Sequence, residues 1–181
     1  LASQEANHDS IDMAFISAAK QKSILNNSFV QKSFIPFDAQ SRKTEAIIKK
    51  GDEKCSVMKG SFNIIAQACG LDEKAASNWE ASINEFAKEG YRTLAVAKAN
   101  MNDKPQFVGL VALHDPPRVD SKNLIREIEN LGVSVKMLTG DALPIAMEIA
   151  KAVGIGDTII KASEFKKSEK SEIVELLEKN N

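Results

Sequence analysis

The chain has 181 residues, of which 43% are hydrophobic and 27% are charged, and this balance excludes a protein that is disordered throughout. Its 24 Lys and Arg and 25 Asp and Glu give a net charge of -1, so charge alone provides no argument for binding nucleic acid or an anionic membrane surface. The longest apolar run, residues 107–113, falls far short of the ~20 residues that a membrane helix needs.

The cysteines, the histidines and the first residue limit the possibilities further. Cys55 and Cys69 lie too far apart for a paired metal knuckle, and His8 and His114 have no cysteine neighbours, so structural zinc is not expected. Reduced intracellular thiols are the default expectation. The sequence begins at Leu1 without an initiator Met or a signal core, which predicts a piece of a longer protein.

The first part of the sequence predicts antiparallel strands with flanking helices. Asp9 is a candidate N-cap, and Gly51-Asp52 suits the tight turn of a hairpin. Asp72 is a candidate cap for a helix that is expected to bury Ala76, Trp79, Ile83 and Phe86 before Gly90 stops it. The predicted elements are helices over 9–20, 61–69 and 72–89, and strands over 29–34, 44–50, 54–59 and 93–98.

From residue 106 onward the pattern changes to an alternation of strands and helices, which is typical of a parallel sheet with right-handed crossovers. The paired prolines Pro116 and Pro117 predict a domain boundary near 113–117. The expected elements are strands over 106–113, 133–138 and 158–161, a helix over 120–131 that buries Leu124, Ile125, Ile128 and Leu131, a helix over 142–153, and a charged final helix over 166–181.

The turn Thr139-Gly140-Asp141 is the most informative local feature, because it follows a predicted strand and precedes a predicted helix. A small-residue turn at the carboxyl end of a strand presents hydroxyl, carboxylate and N–H groups where anions bind near helix N-termini. The simpler interpretation is that Asp141 caps the helix, which is worth about 1 kcal/mol. The two interpretations are compatible.

Five short sequences occur in a fixed order. They are Phe34-Ile35-Pro36-Phe37-Asp38 with Arg42-Lys43-Thr44, Met58-Lys59-Gly60, Gly90-Tyr91-Arg92-Thr93-Leu94, Asp115-Pro116-Pro117-Arg118 and Leu138-Thr139-Gly140-Asp141. Together they resemble the cytoplasmic ATP-handling region of P-type ATPases, the ion pumps that pass through an aspartyl-phosphate. Three stretches, Asn7-His8-Asp9-Ser10-Ile11-Asp12, Pro36-Phe37-Asp38 and Gly132-Val133-Ser134-Val135-Lys136-Met137, look most like the plasma-membrane proton pumps of that family.

The resemblance implies an α/β (α+β) fold in two parts. Residues 1–113 would form a nucleotide-binding domain with a twisted antiparallel sheet flanked by helices, and residues 114–181 part of a phosphorylation domain with a haloacid-dehalogenase-like parallel sheet. ATP and Mg²⁺ are the implied cofactors, with the main metal ligands outside this chain. The implied partners are the transmembrane and actuator domains of a pump in the cell membrane, with this region cytoplasmic and the fragment soluble.

The resemblance also implies roles for the residues of the first part. Phe37 would stack on adenine, Lys59 with Gly60 would lie beside the nucleotide, Arg92 would meet the phosphates, and Asp12 would be a pocket carboxylate. An aromatic face gives adenine a dispersion partner, and a Lys is a point charge suited to phosphate or ribose. Taken singly, such a Phe is usually core, and such a Lys or Arg is usually a solvated surface cation.

In the second part the resemblance implies that Asp115 and Arg118 approach the nucleotide, with Arg118 bridging ATP. Thr139 would bond the phosphoryl group and Asp141 would support the nucleotide and magnesium, which suits electrostatic positioning of a loose phosphoryl-transfer transition state. The competing interpretation of the paired prolines is a rigid linker without chemistry.

The chain departs from the family pattern in three places. Ser61-Phe62-Asn63 follows Gly60 where Ala-Pro-Glu is usual, and the sequence contains neither Asp-Lys-Thr-Gly-Thr nor Gly-Asp-Gly-Val-Asn-Asp. Without the nucleophile and the main metal carboxylates, the isolated chain is expected to bind ATP without turnover. The alternatives are a free-standing haloacid-dehalogenase-type phosphatase and a non-catalytic module that binds a nucleotide or a partner.

Overall fold

The computed structural model describes residues 1–25, 28–101, 103–156 and 158–160, and the chain divides into two compact units. The first unit comprises Leu1–Phe86 and Arg92–Leu113, and the second comprises Ala87–Tyr91 and the chain from His114 onward. Within the described residues, no helix is both long and apolar enough to cross a bilayer. The final helix predicted over 166–181 lies outside the described residues.

The first unit is built on a five-stranded antiparallel sheet in which the strands lie side by side in sequence order. Lys50 pairs with Glu53, so Gly51 and Asp52 form the predicted two-residue turn, and Gly51 has the positive φ of 58° that such a turn requires. The strands are β1 (Val30–Ile35), β2 (Lys43–Lys50), β3 (Glu53–Gly60), β4 (Tyr91–Asn100) and β5 (Gln106–His114).

Helices cover both faces of this sheet. On one face Met58 of β3 packs with α2 (Phe62–Cys69), and α3 (Glu73–Lys88) adds Ala76 and Ile83 to the same core. On the other face lies α1 (Ser10–Gln21), which follows a 3-10 turn at Glu5–Asn7. The buried residues of the α2 side are Met58, Phe62, Ile65, Ala66, Ala95 and Ala97.

The predicted helix boundaries in this unit are confirmed by local hydrogen bonds. The Asp9 carboxylate accepts a 3.0 Å bond from the Asp12 backbone N–H at the start of α1. Asp72 accepts a 2.7 Å bond from the Ala75 N–H, and Gly90 ends the region of α3 with a φ of 80°.

The predicted core stripe of α3 is only partly correct. Ala76 and Ile83 contact the core, but Trp79 and Phe86 are 36% and 37% exposed. The helical period identified the correct face of the helix. It did not determine how deeply each position is buried.

The second unit contains two described helices, α4 (Ser121–Asn130) and α5 (Leu143–Val153). No strand forms over 133–138, nor over 158–160, which is the described part of the strand expected over 158–161. Residues 106–113 join the antiparallel sheet as part of β5. The parallel sheet is therefore not seen in the described residues. A β-strand exists only where a neighbour completes its hydrogen bonds, and local alternation does not supply that neighbour.

The burial predicted for α4 is also wrong, because none of its residues is buried and Leu131 is 82% exposed. Its amphipathic pattern and its stop are correct, since Gly132 follows with a φ of 81° and donates to the Glu129 carbonyl at 2.8 Å. In α5, by contrast, Ile145, Ala146, Ala150 and Val153 are buried.

Gly60 has no room for a side chain. A Cβ there would lie 2.5 Å from the Arg42 carbonyl oxygen and 2.8 Å from the Lys43 Cα, both of which are backbone atoms.

We therefore expect Gly60→Ala to destabilise the first unit by about 1–3 kcal/mol. The test is urea unfolding followed by the fluorescence of Trp79, the single Trp of the chain. Gly51→Asn, which adds a side chain in open space at a φ that Asn tolerates, is the control and should shift the midpoint far less. Equal midpoints for the two variants would contradict the close approach.

Candidate functional site

The centre of the candidate site is a buried ion pair between Lys59 on β3 and Asp12 on α1. Both residues are only 4% exposed, and the Lys59 ammonium contacts Asp12 Oδ1 directly. Lys59 pairs with Thr44 across the sheet, so both side chains point to the face that α1 covers. With Thr44, also 4% exposed, they are the buried polar residues of the described chain.

Three further groups surround the pair. The Lys59 ammonium donates to Ser3 Oγ at 2.6 Å and lies 4.7 Å from the centre of the Phe15 ring, a cation–π contact. The second oxygen of Asp12 accepts a 2.9 Å bond from the Gln4 backbone N–H. Both charges thus have protein partners, which is the condition for burying an ion pair.

Phe37 lies in the loop between β1 and β2, and the residue is 64% exposed. The loop is held by Asp38, whose carboxylate accepts bonds from the N–H groups of Ser41 at 2.7 Å and Gln40 at 3.1 Å. The bond from the Ser41 backbone N–H is the main cause that lowers the pKa of Asp38. The loop therefore presents an exposed aromatic ring on a turn of defined shape.

The β1–β2 loop packs against Gly60, the last residue of β3. The Ser61 N–H donates to the Arg42 carbonyl at 3.1 Å, so the last residue of the loop lies directly against Gly60. The predicted residues Phe37, Lys59 and Gly60 thus belong to one end of the sheet, where the β1–β2 loop meets the end of β3.

Arg92 lies at the start of β4, at the same end of the sheet. Lys59 pairs with Val96, and Arg92 is four residues before Val96, so regular alternation gives Arg92 and Lys59 the same face. Four strand residues correspond to about 13 Å along β4. Arg92 is exposed. The first unit therefore carries a buried, compensated cation and an exposed cation on one face, separated along the strand.

The second unit contains the other predicted residues. The Arg118 guanidinium forms a bidentate pair with Asp120, with Nε–Oδ1 and Nη2–Oδ2 distances of 3.0 and 2.6 Å, and Asp115 is exposed. The pair is close to solvent, since the two side chains are 80% and 44% exposed. Any anion that binds Arg118 must compete with Asp120.

Thr139 and Asp141 are paired with each other. Thr139 Oγ1 donates to Asp141 Oδ2 at 2.9 Å, and the Asp141 N–H donates back to Thr139 Oγ1 at 3.1 Å. The expectation that Asp141 caps α5 is wrong, because Ala142 occupies the N-cap position and no side chain bonds there. The Asp141 carboxylate instead accepts the bond from the Thr139 hydroxyl.

Comparison with known proteins assigns the family. The sequence profile described as P-type ATPase, cytoplasmic domain N matches residues 2–120. The chain belongs to this P-type ATPase family. The match includes every site residue of the first unit as well as Asp115 and Arg118, whereas Thr139 and Asp141 lie beyond it.

Individual relatives agree with this assignment. A protein of Methanocaldococcus jannaschii whose name describes a cation-transporting ATPase is 40% identical over 178 residues, which cover 97% of this chain and 22% of that protein. The plasma membrane ATPase of Neurospora crassa is 32% identical over 163 residues, covering 85% of this chain and 18% of its own length. A protein of Leishmania donovani whose name describes a proton ATPase is 31% identical over 164 residues, which cover 90% of this chain and 17% of that protein. The chain thus spans about a fifth of the length of these relatives.

Sequence reasoning missed the groups that surround the ion pair in this P-type ATPase domain. Phe15 could have been found, because it lies one helical turn after Asp12 and so shares its side of α1. Ser3, Gln4 and Gln31 gave no such signal, since they come from segments that only the fold brings together.

The buried pair leads to a stability prediction. Asp12→Ala leaves the Lys59 charge without its main partner and should cost about 3–5 kcal/mol, whereas Asp12→Ala with Lys59→Met should cost clearly less than the sum of the two single changes. Urea unfolding of the four proteins of this cycle measures the coupling. The control cycle uses Lys43 and Glu45, a 2.8 Å pair with side chains 32% and 25% exposed, and should give a coupling of about 1 kcal/mol or less. Additive costs at Asp12 and Lys59 would contradict the buried pair.

The lowered pKa of Asp38 leads to a prediction about pH. A carboxylate whose pKa is lower in the folded protein stabilises it above the unfolded value of about 3.9, and this contribution is lost as pH falls through the folded pKa. Carboxyl and amide NMR titrations should therefore show Asp38 ionised to unusually low pH and the Ser41 amide signal moving with it. In Asp38→Asn the Ser41 amide should lose that titration. An Asp38 carboxyl whose pKa lies at or above its usual range would contradict the hydrogen bonds from Ser41 and Gln40.

Proposed function

We propose that the first unit binds ATP at the end of the sheet that carries Phe37, Lys59 and Arg92. The observation that carries the proposal is the exposure of Phe37, a residue 64% accessible on a loop that Asp38 holds in shape. A Phe side chain exposed to that degree loses favourable burial, and a stacked base restores it. Membership in the P-type ATPase domain N family supports a nucleotide as the ligand.

The charges suggest the orientation of the nucleotide. Lys59 is compensated by Asp12 and already donates to Ser3, so it offers little free charge to a phosphate. Its surroundings suit the neutral base and ribose, and Asp12 then acts as the pocket carboxylate that orients Lys59. Arg92 is exposed and lies about 13 Å along β4 from the position opposite Lys59, so it suits the polyphosphate. That separation is comparable to the length of an extended nucleoside triphosphate.

Gly60 would contribute through the absence of a side chain. Because Gly60 allows the backbone of Arg42 and Lys43 to approach, it sets the position of the loop that carries Phe37. In this proposal Gly60 shapes the nucleotide site without contacting the phosphates.

We propose supporting roles for the residues of the second unit. Thr139 would offer a hydroxyl to a phosphoryl group and Asp141 would support it, and Arg118, in the segment that begins at Asp115, would bind a phosphate once it releases Asp120. Mg²⁺ would arrive with the nucleotide and neutralise phosphate charge.

For the longer protein we propose ATP hydrolysis coupled to cation transport, with an aspartate outside this chain as the phosphoryl acceptor. The finer proposal is proton export across the cell membrane, with this region on the cytoplasmic side and the transmembrane and actuator domains as partners. The similarity to proteins named plasma membrane ATPase and proton ATPase supports it. Acidification of vesicles that contain the longer protein, tested with protons as the only transportable cation, would decide between protons and other cations.

Titration calorimetry of the 181-residue chain with ATP tests the proposed site. Phe37→Ala should raise the Kd about tenfold or more because the stacking face is lost, and Phe37→Tyr should retain binding. Ile35→Ala is the control, since Ile35 is 58% exposed at the same end of the sheet but, opposite Glu45, points to the other face. No measurable binding by the intact folded chain, or an unchanged Kd in Phe37→Ala, would refute the proposal.

A further inference from the structure

We propose that residues 1–4, here called the N-terminal segment, are a positioning element of the nucleotide site that acts through Lys59 and Asp12. The inference rests on the proposed ATP-binding function and deepens it. Ser3 Oγ accepts from the Lys59 ammonium at 2.6 Å, and the Gln4 N–H donates to Asp12 Oδ2 at 2.9 Å. The segment therefore bonds to both members of the ion pair.

These two bonds fix the orientation of the Lys59 ammonium and of the Asp12 carboxylate. An ammonium has three N–H donors, and those of Lys59 meet Asp12, Ser3 and the Phe15 ring. Without Ser3 one donor loses its acceptor in a buried place, and the ammonium must turn to find another. The turned ammonium leaves the end of β3 and the facing side of α1 less preorganised for a ligand that binds beside them, which costs affinity.

Gln31 on β1 holds the N-terminal segment in place. Its side-chain amide donates to the Leu1 carbonyl at 2.9 Å and to the Ser3 carbonyl at 3.5 Å, and it accepts from Gln4 Nε2 at 3.3 Å. The Leu1 side chain is 59% exposed, so apolar burial of that residue is not what anchors the segment. The attachment described here is polar and is directed at Gln31 and the ion pair.

A β-bulge in β1 orients the Gln31 side chain toward the N-terminal segment. Gln31 pairs with Ile48 and Phe34 pairs with Ala46, so both point to the face that carries Lys59, although a regular strand would place them on opposite faces. The extra residue between Gln31 and Ser33 makes this possible. Bulges of this kind commonly re-aim a side chain next to a functional site.

The experiment combines two measurements on the 181-residue chain: the NMR signal of the Lys59 ammonium without nucleotide, and the Kd for ATP by calorimetry. Ser3→Ala should shift the ammonium signal, speed its exchange with solvent and raise the Kd about tenfold. Ser3→Thr keeps the hydroxyl and should stay within about twofold of the unsubstituted Kd. Gln31→Glu replaces the amide donor with an acceptor-only carboxylate and should weaken binding about fivefold.

Two matched controls separate positioning from general stability. Ser56→Ala removes a hydroxyl that bonds Glu45 at 3.0 Å on the opposite face of the sheet, and Gln106→Glu adds the same charge at an exposed position of β5. Both should leave the Lys59 signal and the Kd unchanged. Thermal unfolding of every variant identifies effects that come from a lost fold.

The two readouts distinguish the possible failures. A folded Ser3→Ala protein with an unchanged Lys59 signal overturns the positioning role, whether or not ATP binds, and so does an unchanged Kd in both Ser3→Ala and Gln31→Glu. If the unsubstituted chain binds no ATP while Ser3→Ala still alters the Lys59 signal, the proposed function fails and the segment is reduced to a structural clamp, which also overturns the inference. An altered signal with a raised Kd and a Ser3→Thr rescue supports it.

Discussion

The buried contact between Lys59 and Asp12 is the constraint on which the first unit depends. It joins α1 to β3 through two charges that are each 4% exposed, and such a pair is tolerated only when its remaining donors and acceptors are satisfied. That requirement brings the N-terminal segment and Phe15 to the same place. A large part of the polar organisation on this face of the sheet follows from satisfying one ammonium and one carboxylate.

The rest of the site depends on where the strands end. The loop after β1, the last residue of β3 and the first residues of β4 meet at one end of the sheet because the strands are antiparallel neighbours. Gly60 allows the close approach of the loop, and Asp38 gives the loop its shape. Phe37 is consequently exposed on a supported turn, an arrangement suited to a flat ligand.

The local features of the fold were predictable from the sequence because they depend on neighbours in the chain. Asp9 and Asp72 cap their helices, Gly51 forms the hairpin turn, and Gly132 ends α4. Several of the predictions that failed required a distant partner. Leu131 is 82% exposed although it lies on an apolar stripe, and residues 133–138 form no strand although their sequence favours one.

The sequence by itself determined the family, the antiparallel hairpin and the residue types of the candidate site, because ordered short motifs and turn residues carry that information locally. Only the tertiary structure decided that Lys59 is a buried, compensated cation, and that Ser3, Gln4 and Gln31 organise its surroundings. The physical reason is that the environment of a charge is set by the groups packed around it, and most of those groups lie far away in the sequence.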